Sequence, residues 1–375
     1  MKTYHNFLIF LSITSIVLSS CKSSNAKNEE PNNDSTITSV NTKSKRTLPD
    51  TLTIIGIGDI QLGSIVPSRS YLPKDEDCSP FLGEVKSTIS SANVAMANIE
   101  GVLTDDRDGQ KKCNNPKTCY TFGMPTKFAK CFQDAGFDFV STANNHSGDF
   151  NEPGRKSTIK ALNDINLKFA GFTTHTKAFL TIEGVKYGFC AFAPNEGACD
   201  FRDYEFAKKL IKEVSDSCDI TIVSFHGGAE GSDRQHITKK TEMFLGENRG
   251  NVHEFARLAI DAGADMVFGH GPHVTRAIDL YNNRFIIYSL GNFFTYSQIN
   301  ISGVSGLAPI VKVYTNAKGE FLKAQIIPTF QTKGKPVQID PNKKVIKVIQ
   351  DLTKTDLPEC NLNIADDGWV TLKNK

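Results

Sequence analysis

The chain carries almost no net charge: 43 Lys and Arg against 41 Asp and Glu leave +2. No broad basic face is available for a phosphate backbone, so nucleic acid is excluded as an expected partner. No Cys-x-x-Cys pair occurs, which argues against a structural zinc site. No internal repeat is visible. The one long apolar run, Phe7 to Leu18, is shorter than the roughly 20 residues a spanning helix needs. From Lys22 to Asp50 apolar residues are nearly absent, so this stretch cannot bury a core.

What surrounds that apolar run is informative. Lys2 precedes it and Ser19-Ser20-Cys21 follows, the pattern of a secretory signal with a small-residue cleavage site. Leu18-Ser19-Ser20-Cys21 resembles a bacterial lipobox, which implies that Cys21 becomes a lipidated N-terminal residue. The expected organisation is a signal peptide over 1–20, then a lipidated Cys and disordered tether over 21–50. A membrane-anchored lipoprotein of the cell envelope follows from it. A plain cleaved signal with an incidental Cys is the alternative, and the position of Cys21 favours the lipid. Of nine cysteines, the eight after Cys21 permit disulfides in an exported protein. Cys113 and Cys119 flank a polar, Pro-containing segment and are the first candidates for a bridge. Cys190 and Cys218 lie in or beside apolar strand-like runs and read as buried thiols.

From Thr51 onward, strand-like and helix-like segments alternate. Strands are expected at 51–57, 94–98, 137–141, 220–225 and 266–268. Helices are expected at 81–90, 125–135, 152–164, 204–217 and 252–262, with Gly136 stopping the second. Three hairpins are expected, turning at Glu183-Gly184, Asn282-Asn283 and near Lys318-Gly319. This predicts an α/β domain of two sheets with helices outside, over 51–330. Residues 331–375 read as a peripheral extension with one short helix near 344–352.

Several acids, amides and imidazoles directly follow the strand-like runs. Asp59 follows the first, Glu100 the second. Asn144-Asn145-His146, with Asp149, follows the third. His226 ends the 220–225 run, and His270 and His273 sit in a Gly/Pro turn after 266–268. Rigid strand ends are where ligands can be held and loops can bring them together. A carboxylate such as Glu100 can bridge two cations, and an amide oxygen can hold a metal without adding charge. Histidine suits first-row divalent ions. An imidazole beside a carboxylate, as in His146 and Asp149, can move a proton. Any one cluster has an ordinary turn or capping explanation. Four of the eight histidines fall in these clusters, and the ordered set favours a metal site. The others, His5, His175, His236 and His253, read as signal or surface residues.

The clusters resemble the CapA-type bacterial capsule-synthesis family, a branch of the calcineurin-like metallophosphoesterases. The resemblance rests on Ile57-Gly58-Asp59, Ala97-Asn98-Ile99-Glu100-Gly101 and Ala143-Asn144-Asn145-His146-Ser147-Gly148-Asp149. It continues in Phe225-His226-Gly227-Gly228-Ala229-Glu230, in Asp261 to Val274, and in Tyr288-Ser289-Leu290-Gly291-Asn292-Phe293. It implies a four-layer α/β/β/α sandwich of two mixed sheets, metallophosphatase-like, with two divalent ions (Mn, Zn, Fe or Mg). By motif, Asp59 and His273 would hold one ion and Asn145, His226 and His270 the other, with Glu100 bridging. His146 would be the acid or phosphate-contacting residue, oriented by Asp149. Gln61, Asn98, Glu230 and Asn292 would contact ligands or substrate. Two departures stand out: Gln61 occupies a position usually held by His, and Gly271 stands where a second His often does. The implied function is a metal-dependent hydrolase, phosphoesterase-like, in capsule or poly-γ-glutamate synthesis or export. Its substrate would be an envelope polymer or phosphoester, its partner a capsule synthase complex. The alternative is a non-catalytic polymer-binding or assembly factor. The segment Gly231 to Gly250 is long for the family and reads as a lid.

Overall fold

A computed structural model describes residues 48–113 and 119–373. The signal sequence, the lipobox Cys21 and most of the tether lie outside the described residues. Two large sheets carry the fold, one of ten strands and one of six. In the first, Leu52–Gln61, Val94–Ile99, Phe139–Ser141 and Lys168–Ala170 run side by side in parallel. Leu307–Thr315 flanks Leu52–Gln61 on the other side, antiparallel, and pairs in turn with Phe321–Phe330. In the second, Val185–Phe192, Ile220–His226, Met266–His270 and Arg284–Ile287 are parallel. Antiparallel strands Lys177–Ile182 and Ile278–Tyr281 close its edges. Both sheets are mixed.

The apolar runs are buried because each sheet is covered on both faces. Alternate residues Ile54, Val94, Met96 and Phe139 of the first sheet share one core with Tyr187, Phe189 and Phe268 of the second. The rings of Phe139 and Phe189 stack at 5.1 Å. Gly56 lets the sheets approach: a Cβ there would lie 2.3 Å from the Phe268 ring. The intervening residues Ile55, Ile57, Ala95, Ala97 and Val140 face a second core with Phe128, Phe132 and Leu162. Helices Ala129–Ala135 and Asn151–Asp164 supply that cover. Helices Tyr204–Ser215 and Val252–Asp261 pack on the second sheet. Each begins at a side-chain cap, Asp203 accepting from the Phe206 N–H and Asn251 from the Glu254 N–H. The result is the four-layer α/β/β/α sandwich that the family resemblance implies.

All three hairpins turn where expected. Asn282 and Asn283 both adopt positive φ, 48° and 58°, as a two-residue turn of the twisted type requires. Some elements differ: the helix expected over 125–135 opens as a 3-10 turn, Thr126–Phe128, before the α-helix Ala129–Ala135. The expected helix over 81–90 is a 3-10 stretch, Ser79–Val85, followed by a four-residue helix, Lys86–Ile89. Pro80 and Gly83 make that stretch a poor α-helix. The first strand does not end at Ile57. It runs to Gln61 because Asn292–Thr295 replaces Leu307–Thr315 as its neighbour from Asp59 onward.

Cys113 and Cys119 are bridged, and so are Cys78 and Cys131, a pair 53 residues apart that nothing local in the sequence marks. Cys190 is free and buried, Cys218 free and half-buried. The segment after 331 lies at the edge of the first sheet, where Trp369–Leu372 pairs with Phe321–Phe330. Its helix, Lys344–Asp356, buries Val345, Ile346 and Ile349 in the inter-sheet core. No helix among the described residues is long and apolar enough to cross a membrane.

Candidate metal centre

The parallel strands of both sheets deliver the candidate residues at their carboxyl ends, where α/β folds generally place ligands. The first sheet contributes the acids. Asp59 lies on Leu52–Gln61 between two irregularities of its pairing with its neighbours, and Glu100 follows Val94–Ile99 directly. The second sheet contributes imidazoles: His226 and His270 are paired end residues of adjacent strands. His273 follows in a turn with φ 59°. Gly271 makes that turn possible, at φ 116° with its Cα packed against the Gly227 backbone; a Cβ would lie 2.5 Å from the Gly227 oxygen.

The side chains converge. His270 Nδ1 lies 3.1 Å and His226 Nδ1 3.8 Å from Asp59 Oδ1, and His273 Nδ1 lies 3.3 Å from Asp59 Oδ2. His273 Nε2 is 3.2 Å from Glu100 Oε1. Glu100, His226 and His273 offer ligand atoms within 4.8 Å of one another. Asp59 thus faces all three imidazoles, and the geometry does not separate an Asp59–His273 pair from an Asn145–His226–His270 set. Asn98 donates from Nδ2 to Asp59 Oδ1 at 2.8 Å, and Asn144 donates to Asn98 Oδ1 at 3.2 Å. Asn292 Oδ1 lies 2.9 Å from His273 Nδ1. Gln61 is buried; its Oε1 accepts from the Gly63 N–H at 3.3 Å, while its Nε2 has no hydrogen-bond partner among the described residues.

Burial sets the electrostatics. It pushes the Glu100 carboxyl well above the usual range, and the nearby negative charges of Asp59, Glu230 and Asp149 add to it against His273. Burial also raises Asp59, but the adjacent imidazoles of His270 and His273 outweigh it and hold Asp59 well below the usual range. Burial drives His226 well below the ordinary imidazole value. It opposes charge on His273 too, yet Glu100, Asp59 and Glu230 push that group up to about 10. Among the described residues, four buried ligand-type atoms of the site have neither a hydrogen bond nor an ion-pair contact: Glu100 Oε2, Asn145 Oδ1, His226 Nε2 and His270 Nε2. Each is a carboxylate oxygen, an amide oxygen or an imidazole nitrogen, the donor set of a divalent first-row cation. Unpartnered buried polar atoms are costly, and a cation here would satisfy them together. The residues fit such an ion.

His146 stands beside this cluster. Its Nδ1 is 2.7 Å from Asp149 Oδ2, and its Nε2 is 4.0 Å from Glu100 Oε1. The Phe122 ring packs on the imidazole with centroids 4.1 Å apart. Asp149 also accepts from the Phe122 N–H at 2.7 Å and pairs with Lys111 Nζ at 2.5 Å. Lys111 and Phe122 were not visible as site residues in the sequence. Both flank the Cys113–Cys119 segment, with no motif around them, and only the fold brings them to Asp149.

Residues 53–297 match the family model described as "Bacterial capsule synthesis protein PGA_cap". The chain belongs to this family. The PGA_cap region contains every candidate ligand and both members of the His146–Asp149 pair. Among curated relatives, "Capsule biosynthesis protein CapA" of Bacillus anthracis is 25% identical over 262 residues, covering 64% of this chain and 59% of that protein. "PGA biosynthesis protein CapA" of Bacillus subtilis (strain 168) is 27% identical over 263 residues, covering 65% and 63%. The chain thus spans about six tenths of the length of these relatives. Among solved structures, a putative 5'-nucleotidase from Staphylococcus aureus in complex with alpha-ketoglutarate has TM-score 0.45 and 14% identity, covering 80% of this chain and 58% of that one.

In this PGA_cap chain the segment 231–250 includes a small exposed hairpin, Met243–Phe244 paired with Glu247–Asn248. Its base is fixed by a buried ion pair. Arg276 is fully buried, and its two terminal nitrogens each lie 2.8 Å from a Glu242 oxygen. Removing one partner leaves an uncompensated buried charge. Glu242→Ala should cost about 3–5 kcal/mol, read as a lower denaturant midpoint. A midpoint unchanged from wild type would show that the pair is not desolvated as described.

Proposed function

We propose that the chain is a membrane-anchored, metal-dependent hydrolase of the cell envelope that acts on a phosphoester or polymer during capsule synthesis. The carrying observation is the set of buried, unpartnered ligand atoms between the two sheets. Asp59, Glu100, Asn145, His226, His270 and His273 would hold two divalent cations, with Glu100 shared. Cations bound there would draw charge from a phosphoryl or carbonyl oxygen and so ease attack of water on the phosphorus or carbon, with the ester oxygen departing. His146 keeps Nδ1 on Asp149, which leaves Nε2 to hand a proton to the departing oxygen. Asp149 holds the ring in that orientation and is itself fixed by Lys111 and the Phe122 N–H. The names of the Bacillus relatives support a place in capsule or poly-γ-glutamate synthesis, and a capsule synthase complex as partner is part of the same proposal. The test is turnover of a generic phosphodiester such as bis-p-nitrophenyl phosphate. Turnover should vanish after chelator treatment and return with Mn²⁺. No turnover by metal-loaded protein would refute the hydrolase reading for such esters.

One observation favours a second reading, a non-catalytic binding module for polymer carboxylates. Gln61 replaces the expected imidazole, and its amide oxygen is already engaged by Gly63. Tight metal binding without turnover is the result that would select it.

The anchor belongs to the same proposal and rests on the Leu18–Cys21 pattern. Acyl chains on Cys21 would contribute about 0.8 kcal/mol per buried methylene. Cys21→Ala should leave an uncleaved precursor or release protein from membranes. Cleaved mature Cys21→Ala protein that still partitions into membranes would refute the anchor.

A further inference from the structure

We infer that Glu230 and Arg249 form a clamp that fixes the side-chain amide of Asn145, so that its oxygen and not its nitrogen is offered to a divalent cation. The inference rests on the metal reading above and adds two positioning residues to it.

An asparagine amide is nearly symmetric in shape. Rotated by half a turn, it presents an NH₂ group, which cannot ligate a cation. Something beyond the ligand must choose the orientation. Here Asn145 Nδ2 donates to Glu230 Oε1 at 3.1 Å, while Asn145 Oδ1 is buried and has no partner among the described residues. A carboxylate can only accept, so Glu230 selects the nitrogen and leaves the oxygen for the site. The same Glu230 reaches toward His273, with Oε2 at 3.8 Å from Nε2.

Glu230 is in turn paired by charge with Arg249. Arg249 Nη1 lies 2.9 Å from Glu230 Oε1 and Nε 3.0 Å from Glu247 Oε2, charge pairs that are close but not aligned as hydrogen bonds. The Arg249 side chain is only 5% exposed, so this guanidinium is not spare surface charge. Its backbone is pinned as well: the N–H donates to Glu242 O at 2.8 Å, and its carbonyl accepts from Gly228 N–H at 2.9 Å. Glu242 is locked on Arg276. The chain leaves the site after Glu230 and returns nineteen residues later (249 − 230) with the cation that Glu230 needs. The long 231–250 segment therefore has a structural product at its far end.

The test uses the full chain, stripped with chelator and titrated with Mn²⁺ by calorimetry, with circular dichroism to confirm folding. Wild type should bind two Mn²⁺. Glu230→Ala and Arg249→Met should each weaken one of them by about 10–100-fold, the size expected when support behind a ligand is lost. Arg249→Lys should recover part of the loss. A second background separates orientation from packing. Asn145→Asp has two equivalent oxygens and needs no orienting partner. In that background Glu230→Ala should not weaken Mn²⁺, since it removes a repelling carboxylate. The clamp is overturned if folded Glu230→Ala binds both ions as wild type does, or if it weakens binding equally in the Asn145→Asp background. If Arg249→Met does not fold, the Glu230 variants decide alone. If wild type binds no Mn²⁺, the metal reading itself fails; if only the variant effects are missing, the clamp alone fails.

Discussion

Glu100→Ala is expected to empty both metal positions, the largest loss of any single ligand change. Glu100 is fully buried, and its Oε1 lies 3.2 Å from His273 Nε2 while its Oε2 has no partner. Two divalent cations about 4 Å apart repel strongly: each pair of unit charges costs about 4 kcal/mol at an effective dielectric of 20. A shared carboxylate offsets that repulsion for both ions at once, whereas each imidazole serves one. Elemental analysis of gel-filtered Glu100→Ala should therefore find both ions lost together. Its metal-free form should unfold no more easily than metal-free wild type, because burial already makes this carboxyl costly to ionise. Full occupancy of both positions in the variant would rule out the bridging role.

His146→Ala should do the opposite: keep the metals and lose the chemistry. The imidazole points one nitrogen at Asp149 and the other toward Glu100 without reaching ligand distance of the Asp59 cluster. A positioned proton donor contributes typically 10²–10⁴-fold, so turnover should fall by about that factor. Asp149→Asn should give a milder loss. It perturbs the ring's orientation and charge but leaves the Phe122 packing in place. Loss of a metal from His146→Ala would make this residue a ligand. Unchanged turnover with both metals present would remove it from the chemistry.

The sequence made the layers legible because both sheets are covered on two faces. Their strands then read as near-continuous apolar runs, as in Ile220–Phe225, and the residue after each run could be tested for chemistry. The hairpins were legible from Glu183-Gly184 and Asn282-Asn283, where turn geometry demands positive φ. The hidden parts depend on distant chain segments. Leu52–Gln61 extends past Asp59 only because Asn292–Thr295, over two hundred residues away, supplies its new neighbour. Cys78 and Cys131 are brought together by packing. Lys111 and Phe122 reach Asp149 through a loop with no recognisable spacing, and Arg249 reaches Glu230 only by the return of an excursion. Candidate ligands on strand ends were thus visible one by one. The groups that hold them in place were not.

The decisive question is whether the residues between the sheets hold two cations. The direct measurement is inductively coupled plasma mass spectrometry of the purified chain after dialysis against Mn²⁺ and gel filtration, with His270→Ala alongside. About two equivalents of metal per wild-type chain are expected, with a clear loss from His270→Ala, whose buried Nε2 has no partner among the described residues. Metal-free wild-type protein that keeps its fold, or a His270→Ala variant with undiminished metal, would contradict that expectation.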